Sequence, residues 1–509
     1  MSLSWFEGWV RKQGLLCIPG RSCRFCRRQY SVFKCQYHKI QEKIYRKSDE
    51  VVVAVKLMKV SGVKDRNTSA FLNGKHNSIL EIEEIMETKQ KEISELSKRH
   101  PKLETLMYRV NKDSLKQVHK AQMQRKASGI DGVTKQDYEK NLDANLENLI
   151  KRMKTFSYRP QPVRRTYIPK GNGKMRPLGI PAYEDRLVQG VMAQILNEVY
   201  EPRFLDCSYG FRPGRSAHDA IRDTNQKLMC RRVNYILDCD IKGFFDNVNH
   251  EWLMKFLEHD IADRNFLRYV KRFLKAGIME KGVYSESSVG TPQGGQISPV
   301  LANVYLHYVL DLWFEKAVRP KLKGEAYLIR FADDFIIMFQ YENEAITVYE
   351  ELIQRLAKFG LEVEKDKTHI LPFGRYKGTK ETFDFLGFTH YNSTTRTGKY
   401  TVGHKIAKKK RKIFKKNVNK WVKEHRTTEI PAFMTALNRK ITGAFRYYGI
   451  SGIFYEIRAL WTYAMWRSFK WLNRRSQRKS FTYEKYLMVW KSYIEKPRVY
   501  KDIWGWKAA

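Results

Sequence analysis

Two closely spaced pairs of acids are the residues most able to do chemistry in this chain. Asp333 and Asp334 lie between Tyr327-Leu328-Ile329-Arg330-Phe331 and Phe335-Ile336-Ile337-Met338-Phe339. Apolar, aromatic-rich runs on both sides of a polar pair read as a β-hairpin with the carboxylates at its bend. A lone Asp at a turn needs no further reason, because its side chain bonds its own backbone. Two adjacent carboxylates between strands this apolar repel each other, at a cost that a cation removes. The metals that take carboxylate ligands are hard and oxygen-seeking, Mg²⁺ or Mn²⁺. Upstream, the apolar run Val233–Leu237 enters Asp238 and Asp240. In an extended strand these two acids share a face, so spacing alone does not choose between them. Two acid-tipped strands suggest a two-metal site, with cations about 3.5–4 Å apart clamping the attacking and leaving oxygens of a phosphoryl transfer.

The rest of the chain must position those acids and hold a substrate. At 509 residues with 42% hydrophobic content, it has room for two or more domains and an ample core. A net charge of +41 with 13% aromatic residues favours a polyanionic partner, with cations for phosphate and rings for bases. A membrane is the rival partner, but no apolar run approaches the roughly 20 residues of a spanning helix. The N-terminus lacks the charged-then-apolar build of a signal peptide. Seven scattered cysteines make no disulfide framework. The expected setting is cytoplasmic, on the nucleoid when bound to DNA.

In chain order, residues 1–78 read as a basic extension of uncertain structure. Cys23, Cys26, Cys35 and His38 stand at plausible zinc spacing there. The flanking residues lack strand and turn signals, which argues against a zinc module. Helical spacing of Ile82, Ile85, Met86, Ile93 and Leu96 predicts a helix over about 79–99. A turn-rich loop, Lys126–Gly132, precedes a second predicted helix over about 135–154. Prolines then force an extended strand from Tyr158 to Lys170, and Gly171-Asn172-Gly173 turns it back through Lys174–Pro181. Arg164, Lys170 and Arg176 would line this hairpin, a charge pattern suited to a triphosphate. On its own, a basic hairpin is more simply a solvated face.

Longer blocks then carry a resemblance. They are Arg164-Arg165, Ile168-Pro169-Lys170, Arg176–Pro181, Ser208-Tyr209-Gly210-Phe211-Arg212-Pro213-Gly214-Arg215-Ser216-Ala217-His218, and Gly290-Thr291-Pro292-Gln293-Gly294-Gly295. Ile297-Ser298-Pro299, Leu301-Ala302-Asn303, Phe331-Ala332-Asp333-Asp334 and Phe383–Phe388 complete the series. From about residue 100 to 390 this order resembles the group II intron reverse transcriptases/maturases. The resemblance implies that Asp240, Asp333 and Asp334 are the catalytic, metal-holding acids, with two Mg²⁺ ions or Mn²⁺ in their place. Asp240 is preferred over Asp238 because it opens the family's Asp-x-x-x-x-Phe pattern. Phe245 would then exclude a 2′-hydroxyl. Arg164, Lys170 and Gln293 would meet the incoming nucleotide, and Gly294 and Gly295 would let backbone approach the substrate. Arg176, Arg212 and Arg215 in these blocks, with Lys367 in Glu364-Lys365-Asp366-Lys367-Thr368, are the basic candidates for nucleic acid. The family usually has Tyr where Phe331 stands, which removes one hydroxyl near the site and spares the metal ligands.

Residues 401–509 hold 27 Lys and Arg against 6 Asp and Glu and read as helical. Ile406, Ile413, Phe414, Val418, Trp421 and Val422 predict one helical face. Lysines elsewhere on it, with Lys408, Lys409, Lys410 and Arg411 foremost, favour nucleic acid over a merely solvated surface. Leu437-Asn438 and Gly443–Tyr448 resemble the family's thumb, more loosely. Cys is absent after Cys239, and His404 and His425 are the last histidines. A Cys/His-rich endonuclease domain like that of many relatives is therefore not expected, nor is an RNase H domain.

The expectation is an α+β right-hand polymerase: fingers and palm over 79–390, a helical thumb or maturase domain over 391–475, and a short basic tail over 476–509. It would make DNA on RNA from dNTPs, binding group II intron RNA, a DNA target and a primer strand, with no membrane partner. A splicing factor without polymerase activity could lose the acids, and their presence argues against it. A reverse transcriptase domesticated for defence or repair is the alternative that keeps every one of these residues.

Overall fold

A computed structural model describes residues 92–169, 175–280, 282–285, 289–290 and 294–504. Cys23, Cys26, Cys35, His38, Lys170 and Gln293 lie outside the described residues, as do the first turns of the helix expected over 79–99. Residues 92–99 of that helix are helical.

Strands β1 (Val163–Pro169), β2 (Met175–Ile180), β3 (Tyr235–Asp240), β4 (Ile278–Glu280) and β5 (Val283–Ser285) precede β6 (Ala326–Phe331) and β7 (Asp334–Phe339). After them come β8 (His369–Pro372), β9 (Thr382–Phe385), β10 (Phe388–Thr394) and β11 (Tyr400–Ile406). They form three sheets, in the orders β2-β1-β4-β5, β6-β7-β3-β8 and β11-β10-β9. The first contains the expected β1–β2 hairpin, and its one parallel pairing joins β1 to β4. The second is antiparallel throughout and carries the acids.

Strands β3 and β7 are apolar on both faces because both faces are covered. Leu237, Cys239, Phe335, Ile337 and Phe339 enter the main core. The helices Tyr183–Tyr200, His250–Asp260, Ser298–Leu306 and Glu342–Lys358 supply the other side of that core. Ile236, Ile336 and Met338 face the opposite way and meet Phe383, Phe385 and Val402 of the β9–β11 sheet. A period of two thus sends alternate side chains into two different cores.

Four helices, Lys408–Glu424, Ile430–Tyr448, Phe454–Leu472 and Tyr483–Tyr493, pack around Val418, Val422, Leu437, Ile441, Leu460, Tyr486 and Trp490. The protein is therefore an α+β fold that joins β-sheets to a helical bundle. Ile406, expected on a helical face, instead ends β11, and helix starts at Lys408. The residues after 475 include a helix whose Tyr486 and Trp490 are fully buried. The helix expected over 135–154 is two, Lys135–Glu139 and Leu142–Lys154, each with its own start; Thr134 and Asp137 form a capping box on the first. Among the described residues no helix is long and apolar enough to cross a membrane.

Candidate active site

The β6–β7 register pairs Phe331 with Asp334, leaving Ala332 and Asp333 as the bend. Ala332 has φ of 59°, a left-handed conformation that two-residue hairpins usually assign to Gly or Asn. Arg330 holds it there. The guanidinium is fully buried and spends every donor: Nε and Nη2 on Asp311 at 2.7 and 2.6 Å, Nη2 also on Ser208 Oγ at 2.8 Å, and Nη1 on Asn303 Oδ1 and the Ala332 carbonyl at 3.1 and 2.9 Å. Asp311 lies in a π-helical stretch, His307–Asp311. Gly210 backs the bend so closely that a Cβ would lie 2.4 Å from the Ala332 nitrogen.

Across the sheet, Asp240 is the register partner of Asp334. Asp333 at the bend completes the trio. Burial first, then the charges of Asp333 and Asp240, pushes the Asp334 carboxyl up to about 7. A backbone bond from Leu386 and the charge of Lys410 oppose that rise. Burial and Asp240 also raise Asp333, against the pull of Arg176. Asp238, on the same strand face as Asp240, rises to about 7 through burial and then Asp334, Asp384 and Asp240. These are carboxylates in want of a cation. One is already in contact: the Lys367 ammonium donates to Asp240 Oδ2 and lies 3.8 Å from Glu364 Oε2. Among the described residues no group of three or more His, Cys, Asp or Glu is gathered closely enough to hold a metal ion by itself.

Asp240 and Asp333 open onto a cleft of about 600 Å³ lined also by Arg176, Phe211, Phe245, Gly294 and Lys367, among others. Phe244 is buried, whereas Phe245 is half-buried and faces the cleft, edge-on to Phe244 at 5.3 Å. The cleft lining therefore divides between apolar rings, Phe211 and Phe245, and a charged patch in which carboxylates and cations lie together. That division of chemistry suits a nucleoside triphosphate.

The family model "Reverse transcriptase (RNA-dependent DNA polymerase)" matches residues 168–390. Protein YkfC of Escherichia coli (strain K12) is 34% identical over 316 residues, covering 56% of this chain and 81% of YkfC. Group II intron-encoded protein LtrA of Lactococcus lactis subsp. cremoris is 43% identical over 175 residues, 33% of this chain and 29% of LtrA. The putative COX1/OXI3 intron 2 protein of Saccharomyces cerevisiae is 28% identical over 295 residues, 48% of this chain and 34% of that protein. The chain belongs to the group II intron-encoded reverse transcriptase/maturase family. Its activity class is that of an RNA-directed DNA polymerase, and this reverse transcriptase spans less than a third of LtrA's length.

The remaining sequence candidates separate into those at the cleft and those away from it. Arg176 and Lys367 reach the acids. Arg164 is tied to the Ser128 carbonyl at 2.7 and 3.2 Å on an exposed stretch. Arg212, expected on nucleic acid, is instead 5% exposed and gives all its donors to Glu201 and the carbonyls of Glu201, Leu205 and Ser208. Buried guanidinium must be paired, and this one has no donor left for phosphate. Arg215 is held by Asp206 at 2.6 Å. Gly294 lines the cleft, and both glycines also permit close approaches within the protein: a Cβ on Gly294 would lie 2.3 Å from Gly179 O, and one on Gly295 would lie 2.8 Å from Gln189 Oε1. Lys408 and Lys409 are exposed, whereas Arg411 pairs with Glu456 at 3.2 Å. The residues missed from sequence are Arg330, Asp311, Asn303 and Ser208. A lone Arg inside an apolar strand was the available signal, since buried charge demands a partner.

Proposed function

We propose that this cleft elongates a DNA primer on an RNA template, with Asp240, Asp333 and Asp334 as the acids that hold two Mg²⁺ ions, or Mn²⁺. The observation that carries the reading is the register pair Asp240–Asp334 with Asp333 at the strained bend between them. Mg²⁺ is usually bound by one or two carboxylates plus substrate phosphates rather than by a closed protein cage, which agrees with an open set of acids. What the bound ions supply is neutralisation of phosphate charge and Lewis-acid activation.

The chain's own residues do the rest. Arg176 and Lys367 meet triphosphate oxygens as the primer 3′-oxygen bonds to the α-phosphorus and the bond to pyrophosphate breaks. Phe245 fills the space a 2′-hydroxyl would need. The Arg330 network keeps Asp333 from moving, so the acids are placed before substrate arrives. Outside the described residues, Lys170 and Gln293 are assigned to the same nucleotide.

In this reading residues 79–390 are fingers and palm, 391–475 the thumb, and 476–509 a short basic tail whose helix Tyr483–Tyr493 packs on the thumb. The exposed lysines of the helix Lys408–Glu424 track RNA backbone, and the preferred RNA is a group II intron whose splicing and mobility the protein assists. Names of relatives such as LtrA support that partner. Primer extension on RNA with dNTPs and Mg²⁺ tests the polymerase, and Asp333→Ala should abolish it while leaving RNA affinity in place. An enzyme that binds RNA yet incorporates no dNTP with either Mg²⁺ or Mn²⁺ would sink the proposal.

A further inference from the structure

Four residues other than Gly adopt positive φ among those described: Phe156, Phe211, Ala332 and Leu386. Three of them converge on the acids. Ala332 forms the bend, Leu386 gives its backbone to Asp334, and Phe211 lines the cleft beside Asp240 and Asp333. A bulky residue with φ of 57° is a strained one, and such strain persists only where the surroundings enforce it.

The surroundings of Phe211 do enforce it. On one side, the Tyr209 nitrogen donates to the Arg330 carbonyl at 2.8 Å and Gly210 abuts the Ala332 backbone. On the other, Arg212 is locked by its full set of hydrogen bonds to Glu201 and nearby carbonyls. The ring gains no place in a hydrophobic core in return. It is 52% exposed, belongs to no buried cluster, and no aromatic ring or cation stacks on it among the described residues. Phe156 differs: its ring lies under the Arg268 guanidinium at 4.1 Å. A clamped backbone thus presents an otherwise unemployed phenyl ring to the reacting end of the cleft.

We propose that Phe211 is a substrate-contacting residue whose ring packs on a nucleotide face in the active-site cleft, either that of the incoming dNTP or that of the terminal primer–template pair. This rests on the polymerase reading of the cleft and adds an apolar contact opposite to that assigned to Phe245 in kind: a surface that binds a nucleotide rather than a volume that excludes a hydroxyl.

The test uses the full chain with Phe211→Gly, Phe211→Leu and Phe211→Tyr. Glycine relieves the φ strain, so its melting temperature should equal or exceed that of the wild type. Aromatic stacking predicts a roughly tenfold or greater loss of nucleotide affinity in the Gly and Leu variants, with near-wild-type behaviour in Tyr. A raised KM for dNTP at unchanged primer–template Kd identifies the incoming nucleotide as the occupant. A raised primer–template Kd at unchanged KM identifies the duplex end, and a rise in both identifies a ring shared between them. Wild-type KM and Kd in both Gly and Leu variants would overturn the proposal, as would equal losses in Leu and Tyr. Wild-type extension and its loss in Asp333→Ala are read in parallel, so failure of Phe211 leaves the polymerase reading standing.

Discussion

Arg330 grips both carboxylate oxygens of Asp311, with each side chain fully buried. Replacing one partner strands the other charge without water. Arg330→Met or Asp311→Leu should therefore each lose about 3–5 kcal/mol of stability. The double replacement should lose clearly less than the sum, because neither charge is then left alone. Urea unfolding of the two single variants and the double one measures this. Additive losses would mean that the pair is not coupled.

Much of this site could be read from the chain because strand period and acid placement are local. The bend at Asp333 and the partner strand running into Asp238 and Asp240 each follow from one short local run, whereas the choice of Asp240 and of Phe245 over their neighbours rests on the family resemblance. The network under the bend could not be read that way. Ser208, Asn303 and Asp311 reach Arg330 from three separate segments, and only the fold brings them together. Arg212 failed for a related reason: a basic residue in a Gly- and Pro-rich loop looks solvent-facing until Glu201 is seen to cover it.

The Lys367–Asp240 ion pair should matter to the site and little to the fold. Both side chains are substantially exposed, at 61% and 38%, and exposed pairs contribute about 0–1 kcal/mol. Lys367→Met should leave the melting temperature nearly unchanged. With no ammonium competing for Asp240, Mn²⁺ should bind the nucleotide-free protein more tightly, as titration followed by electron paramagnetic resonance would detect. Weaker Mn²⁺ binding in that variant would mean that Lys367 does not compete for the acid.

His390 and His404 face each other across β10 and β11, with ring centroids 4.8 Å apart. None of their ring nitrogens has a partner among the described residues. Burial lowers His404 to about 4, and burial followed by the charge of His404 holds His390 well below the usual histidine range. A histidine depressed in the folded state leaves the unfolded chain holding the extra proton, so its contribution is intact above about 6.5 and is lost as pH falls towards 4. Asp185, Asp238 and Glu198, each raised to about 7 by burial, act in the opposite sense. The difference between wild type and His404→Leu isolates the effect. The variant should gain on the wild type by about 1.4 kcal/mol per pH unit between 6.5 and 4. A pH-independent difference would show that His404 does not titrate on unfolding.

The basic helix divides into two kinds of residue. Arg411 pairs with Glu456, and Lys410 lies against Gly387 within reach of the Asp334 charge. Among the described residues Lys408 and Lys409 have no such engagement, and both are exposed. Charge reversal at those two should weaken RNA binding and flatten the dependence of log affinity on log salt, because fewer counterions are released. Arg411→Ala should mainly lower stability. An unchanged salt slope in the Lys408→Glu, Lys409→Glu double variant would mean that this face is only solvated.

In the proposed polymerase reading, Phe245 is the residue that discriminates the sugar. Its ring is half-buried, edge-on to Phe244, and lines the cleft with Asp240 and Arg176. A rigid ring excludes a 2′-hydroxyl by volume, with no hydrogen bond required. Phe245→Ala opens that space and leaves the acids in place. It should raise incorporation of ATP relative to dATP far more than it slows dATP use. A fully buried Phe would lose roughly 3–5 kcal/mol on truncation, and a half-buried one should lose less. Single-nucleotide extension with competing ATP and dATP, read beside a melting curve, separates selectivity from stability. Unchanged sugar discrimination in a destabilised variant would make Phe245 a packing residue like its neighbour Phe244.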